Sequence, residues 1–499
     1  MEKPPLFTTR RSGVLLHPTS LPGDYGIGTF GKEAYRWIDK LAQSGQRLWQ
    51  ILPLGPTGYG NSPYQSYSAF AGNPLLIDLN LLQEDGWLIE NISGKRSDFN
   101  ETSVDYEWVS AYKLPLLKNA FLHFRQNADN MEKEIFEKFC EEESVWLEDF
   151  ALFMALKKEN QGKIWYEWEE RIVRRESETL TKKRDQLKEE IDFQKFLQYL
   201  FYRQWNRLKA YANRHGVWII GDLPIYVSVD SSDVWSHSEL FLLDEHCRPT
   251  HVAGVPPDYF STTGQRWGNP LYNWELMKQH GYAWWILRMK KSLELYDIVR
   301  IDHFRGFEAY WSIPADEETA IHGRWVEGPG HRFFEVIKES LGSLPIIAED
   351  LGVITPEVEK LRDDFDLPGM KILQFAFDGD PKNAYLPHNG VANSVIYTGT
   401  HDNDTTLGWF ENASNKSYIL EYLSRDDDEI HWAMIREAMA SVSVFSVVPM
   451  QDILGLGSFA RMNRPGDPNG NWSWRMTMEQ MERAPFEKME RLTRLYGRC

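Results

Sequence analysis

Cysteine is nearly absent from this chain of 499 residues: Cys140, Cys247 and Cys499 are odd in number and far apart, with no CxxC. That spacing offers neither a disulfide framework nor a zinc site, and it fits a reducing compartment. Long apolar runs are also missing. No window approaches 18 apolar residues, and the few that follow Arg10 and Arg11 stop at His17 and Pro18, so neither a membrane span nor a leader is read. Basic charge is in deficit, with 55 Lys and Arg against 73 Asp and Glu and a formal charge of −18. No basic block interrupts that balance, which argues against nucleic acid and anionic membranes as partners. There is no His-x-His and no His-Glu-x-x-His, so no metal site is expected.

Aromatic residues, by contrast, are plentiful: 14% of the chain, including 20 Trp and 22 Tyr. Most belong to a core. Those in Gly- and Pro-rich segments are candidates for binding, because flat aromatic faces cover the C–H faces of sugar rings while the Tyr OH or Trp NH still reaches a polar partner.

The most informative stretch is 297–306, reading Asp-Ile-Val-Arg-Ile-Asp-His-Phe-Arg-Gly. Three β-branched residues lead into charged ones, the pattern of a buried strand that ends at a site. Alternation puts Ile298, Arg300 and Asp302 on one face, so Arg300 is expected to hold Asp302 ionised. An ordinary ion pair at the lip of a sheet would read the same way.

Taken in order, the chain predicts eight strands, at 13–22, 46–54, 217–227, 298–302, 345–352, 371–377, 394–404 and 442–455, with helical patterns between them. That count predicts a (β/α)8 TIM barrel, a single catalytic domain over 1–499. Residues 81–200 are long, charged and amphipathic and read as a helical insertion subdomain. Phe193, Phe196, Leu197, Leu200, Phe201, Trp205 and Leu208 recur there and just beyond at helical spacing. A second insertion is read at 228–275. It contains the stretch 251–273, whose Gly and Pro argue against regular structure and whose Tyr259, Phe260, Trp267 and Tyr272 suggest an aromatic lid.

Asp222, Asp302, Glu349 and Asp402 fall toward the C-terminal ends of the third, fourth, fifth and seventh strands, where this fold places chemistry. Breaking a glycosidic bond with retention needs two carboxyl groups about 5 to 5.5 Å apart, and neighbouring strands lie about 4.8 Å apart. Asp302 is therefore assigned as nucleophile and Glu349 as acid and base, with burial and the charges of Asp302 and Asp402 raising Glu349. Asp402 would accept hydrogen bonds from sugar hydroxyls. His303 and His401 would donate to the same sugar, or serve as structural histidines bonding backbone.

These residues sit in recognisable motifs: Gly221-Asp-Leu-Pro-Ile-Tyr-Val227, Val299-Arg-Ile-Asp-His-Phe-Arg-Gly306, Ala348-Glu-Asp-Leu-Gly352, Thr400-His-Asp-Asn-Asp404 and Gly58-Tyr-Gly-Asn-Ser-Pro-Tyr-Gln65. Over nearly its whole length the chain resembles the 4-α-glucanotransferases of the amylomaltase or disproportionating-enzyme family, glycoside hydrolase family 77, relatives of the α-amylases. The resemblance implies retaining transfer of α-1,4-glucan segments to glucose or another glucan through a glycosyl-Asp302 intermediate, without a cofactor. It also implies that Arg300, His303, His401 and Asp222 line one subsite with Tyr64 stacked on the sugar, and that Tyr59 and Tyr106 form a second glucan-binding surface. Only 49 residues follow Met450, too few for the C-terminal β-sandwich of amylases, which takes about 100. A cytoplasmic monomer or homodimer is expected, or the mature form of a plastid enzyme. A hydrolase and a catalytically silent glucan-binding protein are the alternatives.

Overall fold

The computed structural model describes residues 7–90, 92, 99–257, 261–424, 429–467 and 469–499. Among them twelve strands form: β1 (Arg11–Leu15), β2 (Leu48–Gln50), β3 (Trp218–Pro224), β4 (His251–Val255), β5 (Gln265–Pro270), β6 (Ile298–Asp302), β7 (Ala309–Pro314), β8 (Arg324–Glu327), β9 (Ile346–Ala348), β10 (Gly369–Ile372), β11 (Ser394–Tyr397) and β12 (Phe445–Pro449). Eight of them, one in each predicted segment, pair in parallel in the order β10-β11-β12-β1-β2-β3-β6-β9. The Ala348 N–H donates to the Pro368 carbonyl at 2.9 Å and brings β9 beside β10, so the sheet nearly closes on itself. This is a (β/α)8 barrel.

Residues of β9, β11 and β12 are buried throughout, as expected of parallel strands covered on both faces. Glycine sets the closest approaches. A Cβ on Gly13 would lie 2.1 Å from the Leu48 carbonyl oxygen, and one on Gly221 would lie 2.1 Å from the Tyr296 ring. The outer helices bury single stripes: Lys32–Gln43 turns Ala34, Trp37, Ile38 and Leu41 inward, the spacing of an amphipathic helix.

Between β2 and β3 the chain is mainly helical, with helices at Tyr106–Asn127, Asn130–Glu142, Ser144–Glu159, Ser177–Gln186 and Lys188–Arg214. The last buries the predicted stripe from Phe193 to Leu208, and Trp205 packs on Phe30 and Trp49 of the barrel. Lys113, fully buried, ties the first of these helices to the barrel by donating to the carbonyls of Leu75 at 2.6 Å and Ile77 at 2.7 Å.

One expectation is corrected. The stretch 251–273 is not free of regular structure: β4 and β5 are antiparallel partners within it and join β7 and β8 in a four-stranded sheet ordered β5-β4-β7-β8. A β-bulge between Val252 and Gly254 lets a Gly-rich segment pair there. Tyr272 is core, its hydroxyl donating to the Ile225 carbonyl at 2.7 Å. Tyr259 and Phe260 lie outside the described residues. Among the described residues no strand follows β12, and no helix is long and apolar enough to cross a membrane.

Candidate active site

Four strands deliver carboxylates to one end of the barrel. In the register of β3 with β6, Asp222 stands beside Arg300, and Arg300 Nη1 donates to both Asp222 oxygens at 2.7 Å. The same nitrogen lies 3.2 Å from Asp302 Oδ1. Arg300 thus bridges two aspartates, with Asp222 the closer. The Asp222 side chain is fully sealed, whereas those of Asp302 and Asp402 keep 28% and 42% of their surface open. Asp302 and Asp402 face the cleft; Asp222 and Arg300 hold the groups that do. Asp222 and Arg300, expected to line the sugar subsite, are both buried.

The pairing of β6 with β9 ends at Ile301 with Ala348, and Asp302 and Glu349 each follow the last paired residue of its strand. The Glu349 N–H donates to the Ile301 carbonyl at 3.1 Å, and the Phe304 N–H to the Glu349 carbonyl at 3.1 Å. His303 takes the left-handed conformation, φ 52°, and its own N–H donates to Glu349 Oε2 at 2.5 Å.

Burial drives Glu349 well above the usual carboxylate range, with Arg300 opposing and the charge of Asp302 adding. Burial raises Asp302 as well, to about 6, while Arg300 pulls it back. Both carboxyls are therefore raised, and Asp302 is not held low as expected. The Arg300 charge is shared with Asp222, and desolvation outweighs what remains. Asp402 goes the other way. Burial alone would raise it, but the charge and hydrogen bond of His401 and the amide of Asn463 keep it below the usual range.

Tyr64 joins the two halves of the site. Its hydroxyl donates to Asp222 Oδ2 at 2.7 Å and lies 2.8 Å from His401 Nε2, and its ring stacks on His401 at 5.4 Å. His401 Nε2 is also 3.3 Å from Asp402 Oδ2, and Asp402 raises the imidazole against the lowering effect of burial. Trp267 sets its ring edge-to-face against His303, centroids 4.8 Å apart. Burial depresses His303 to about 3, so its ring is neutral.

Tyr59 stands on an open turn, 81% exposed. Tyr106 begins a helix, is buried among Ile27, Leu75, Val104 and Val109, and donates its hydroxyl to the Trp472 carbonyl at 2.8 Å. Tyr106, expected beside Tyr59 on a second glucan-binding surface, is thus mostly buried.

Sequence reasoning passed over Arg461, Asn463 and Trp472. Asn463 Nδ2 donates to Asp402 Oδ1 at 2.6 Å, Arg461 Nη2 donates to the Asp402 carbonyl at 2.7 Å, and Trp472 packs on Tyr64 at 5.7 Å. Their signal was position, in the polar turn segment after the eighth strand, where this fold gathers site residues. Among the described residues no group of three or more His, Cys, Asp or Glu is arranged to hold a metal ion.

A family model described as 4-alpha-glucanotransferase, glycoside hydrolase 77, matches residues 16–480. A 4-alpha-glucanotransferase of Thermus thermophilus is 53% identical, over 97% of this chain and 99% of its own. A chloroplastic or amyloplastic 4-alpha-glucanotransferase of Arabidopsis thaliana is 44% identical, over 98% of this chain and 86% of its own. The amylomaltase of Streptococcus agalactiae, solved with acarbose, superposes with a TM-score of 0.94 at 44% identity, covering 98% of this chain and 99% of that one. The carboxylate-bearing barrel described above is that of an enzyme, and the chain belongs to the 4-alpha-glucanotransferase family, glycoside hydrolase family 77.

Proposed function

We propose that this 4-α-glucanotransferase moves α-1,4-glucan segments from a maltooligosaccharide or starch-type donor to the 4-OH of glucose or another glucan by a retaining double displacement. The observation that carries this reading is that Asp302 and Glu349 directly follow Ile301 and Ala348, the last paired residues of two neighbouring strands. It suits the short carboxyl separation of retaining enzymes, about 5 to 5.5 Å, better than the wider gap of inverting ones.

In the first step a carboxylate oxygen of Asp302 attacks C1 of the donor sugar while protonated Glu349 gives its proton to the glycosidic oxygen. The C1–O bond breaks and the leaving chain departs with a free 4-OH. In the second step Glu349, now a carboxylate, takes the proton of the acceptor 4-OH. That oxygen displaces Asp302 from C1, restoring both groups. Glu349 fits the acid role because burial keeps its proton.

Asp402, held as a carboxylate by His401 and Asn463, accepts hydrogen bonds from sugar hydroxyls as positive charge builds at the ring. The buried Nε2 of His303 and Nδ1 of His401 have no hydrogen-bond partner among the described residues, and sugar hydroxyls would satisfy them. α-Glucans and glucose are the proposed partners, in a cytoplasmic monomer or homodimer that binds no nucleic acid.

The test is incubation with maltotriose without added metal. Longer maltooligosaccharides together with glucose, at constant total reducing ends, are expected. A steady rise in reducing ends would make the enzyme a hydrolase instead.

A further inference from the structure

Phe459 is 76% exposed. A lone exposed apolar side chain needs no explanation of its own, but this one sits on an unusually fixed mount. It is the centre of the turn Ser458–Ala460 beyond β12, at the end of the barrel that carries the carboxylates. Ser458 Oγ donates to Asp404 Oδ2 at 2.7 Å, Gln451 Nε2 donates to the Ala460 carbonyl at 3.2 Å, and Arg461 Nη2 donates to the Asp402 carbonyl at 2.7 Å. Ala460 itself is fully buried. The turn is therefore stitched to the segment that presents Asp402, and its one large apolar side chain points to solvent.

A ring whose backbone is already ordered, two residues from the Arg461 that holds the Asp402 carbonyl, can stack on a pyranose face at the cost of ordering its side chain alone. Phe offers no polar atom, so its partner must present C–H groups to it, as the faces of an α-glucan do. In barrel order β12 stands three strands round from β9. With neighbouring strands about 4.8 Å apart, the ring lies well beyond hydrogen-bonding reach of Asp302 and Glu349.

We propose that Phe459 is a stacking platform for a glucose unit of the glucan chain outside the two units whose bond is broken, and so a determinant of chain-length preference. The proposal rests on the transferase reading above.

The test compares wild type, Phe459→Ala and Phe459→Trp on maltotriose and on a linear α-1,4-glucan of about 20 units. The ratio of kcat/KM for the long chain to that for maltotriose should fall about three- to tenfold in Phe459→Ala, the effect of losing one stacked ring, and return in Phe459→Trp. An unchanged ratio, whether both substrates suffer equally or neither does, overturns the proposal. Retardation in native gels containing amylose gives a reading independent of turnover: weaker retardation of Phe459→Ala supports the platform and equal retardation refutes it. Failure of wild type to transfer from maltotriose would sink the parent reading alone.

Discussion

The backbone N–H of His303 donates to Glu349 Oε2 from a residue held at a left-handed φ of 52°. Side chains tolerate that conformation unequally: Asn enters it readily, while a β-branched residue is a genuine outlier there. His303→Asn and His303→Val both remove the imidazole, but only Val should disturb the backbone. The Val variant is expected to lose about 1–2 kcal/mol of stability relative to Asn. Because the amide lowers Glu349, the basic limb of its pH–rate profile should also move upward. Matching limbs in the two variants would show that the amide does not tune Glu349.

The roles of the two catalytic carboxyls separate with the leaving group. Asp302→Asn and Glu349→Gln should each lower transfer from maltotriose by at least about 100-fold. With a maltosyl fluoride donor, whose leaving group needs no proton, the first step should recover in Glu349→Gln and stay lost in Asp302→Asn. Recovery in both, or in neither, contradicts the assignment.

Stability against pH follows from the same pair. A carboxyl whose folded pKa lies above its unfolded value destabilises the fold once ionised. Its contribution is best below the unfolded value and is lost as pH rises through the folded one. Asp302, raised to about 6, and Glu349, raised well above its ordinary value, should both weaken the fold as pH climbs from about 4 past 6. Asp302→Asn removes part of that cost and leaves Arg300 paired with Asp222. Calorimetry at pH 8 should therefore find its unfolding midpoint higher by about 1–4 °C. A lower midpoint would mean that the contact with Arg300 outweighs burial.

Tyr64→Phe deletes the hydroxyl between Asp222 and His401 but leaves the ring that stacks on the imidazole. Stability should change by about 1 kcal/mol, the net value of a hydrogen bond. Turnover should fall about tenfold or more, because Asp302 and Asp402 are oriented through the two sides of that link. Denaturant titration beside maltotriose kinetics separates the effects.

The eight barrel strands were legible because parallel strands, buried on both faces, carry runs of β-branched residues that no other element needs. Asp302, Glu349 and Asp402 were legible because each ends such a run. What stayed hidden was pairing across space. Arg300 reads as the partner of Asp302 two residues along the same strand, but across the sheet Asp222 lies closer. Tyr106 was placed on a glucan-binding surface by resemblance alone, and only packing shows its ring to be buried. The second sheet was obscured because β4 and β5 are rich in Gly and polar residues and owe their pairing to β7 and to each other.

The link from Tyr64 to His401 joins residues 337 positions apart, and Asp402 is braced by Asn463, 61 positions further on. Contacts so distant in sequence form late, after the loops between them have closed. Turnover is thus the most demanding reporter of the finished barrel. During refolding, helical signal should return first and glucan transfer last, and during gentle heating transfer should fade before the helices do.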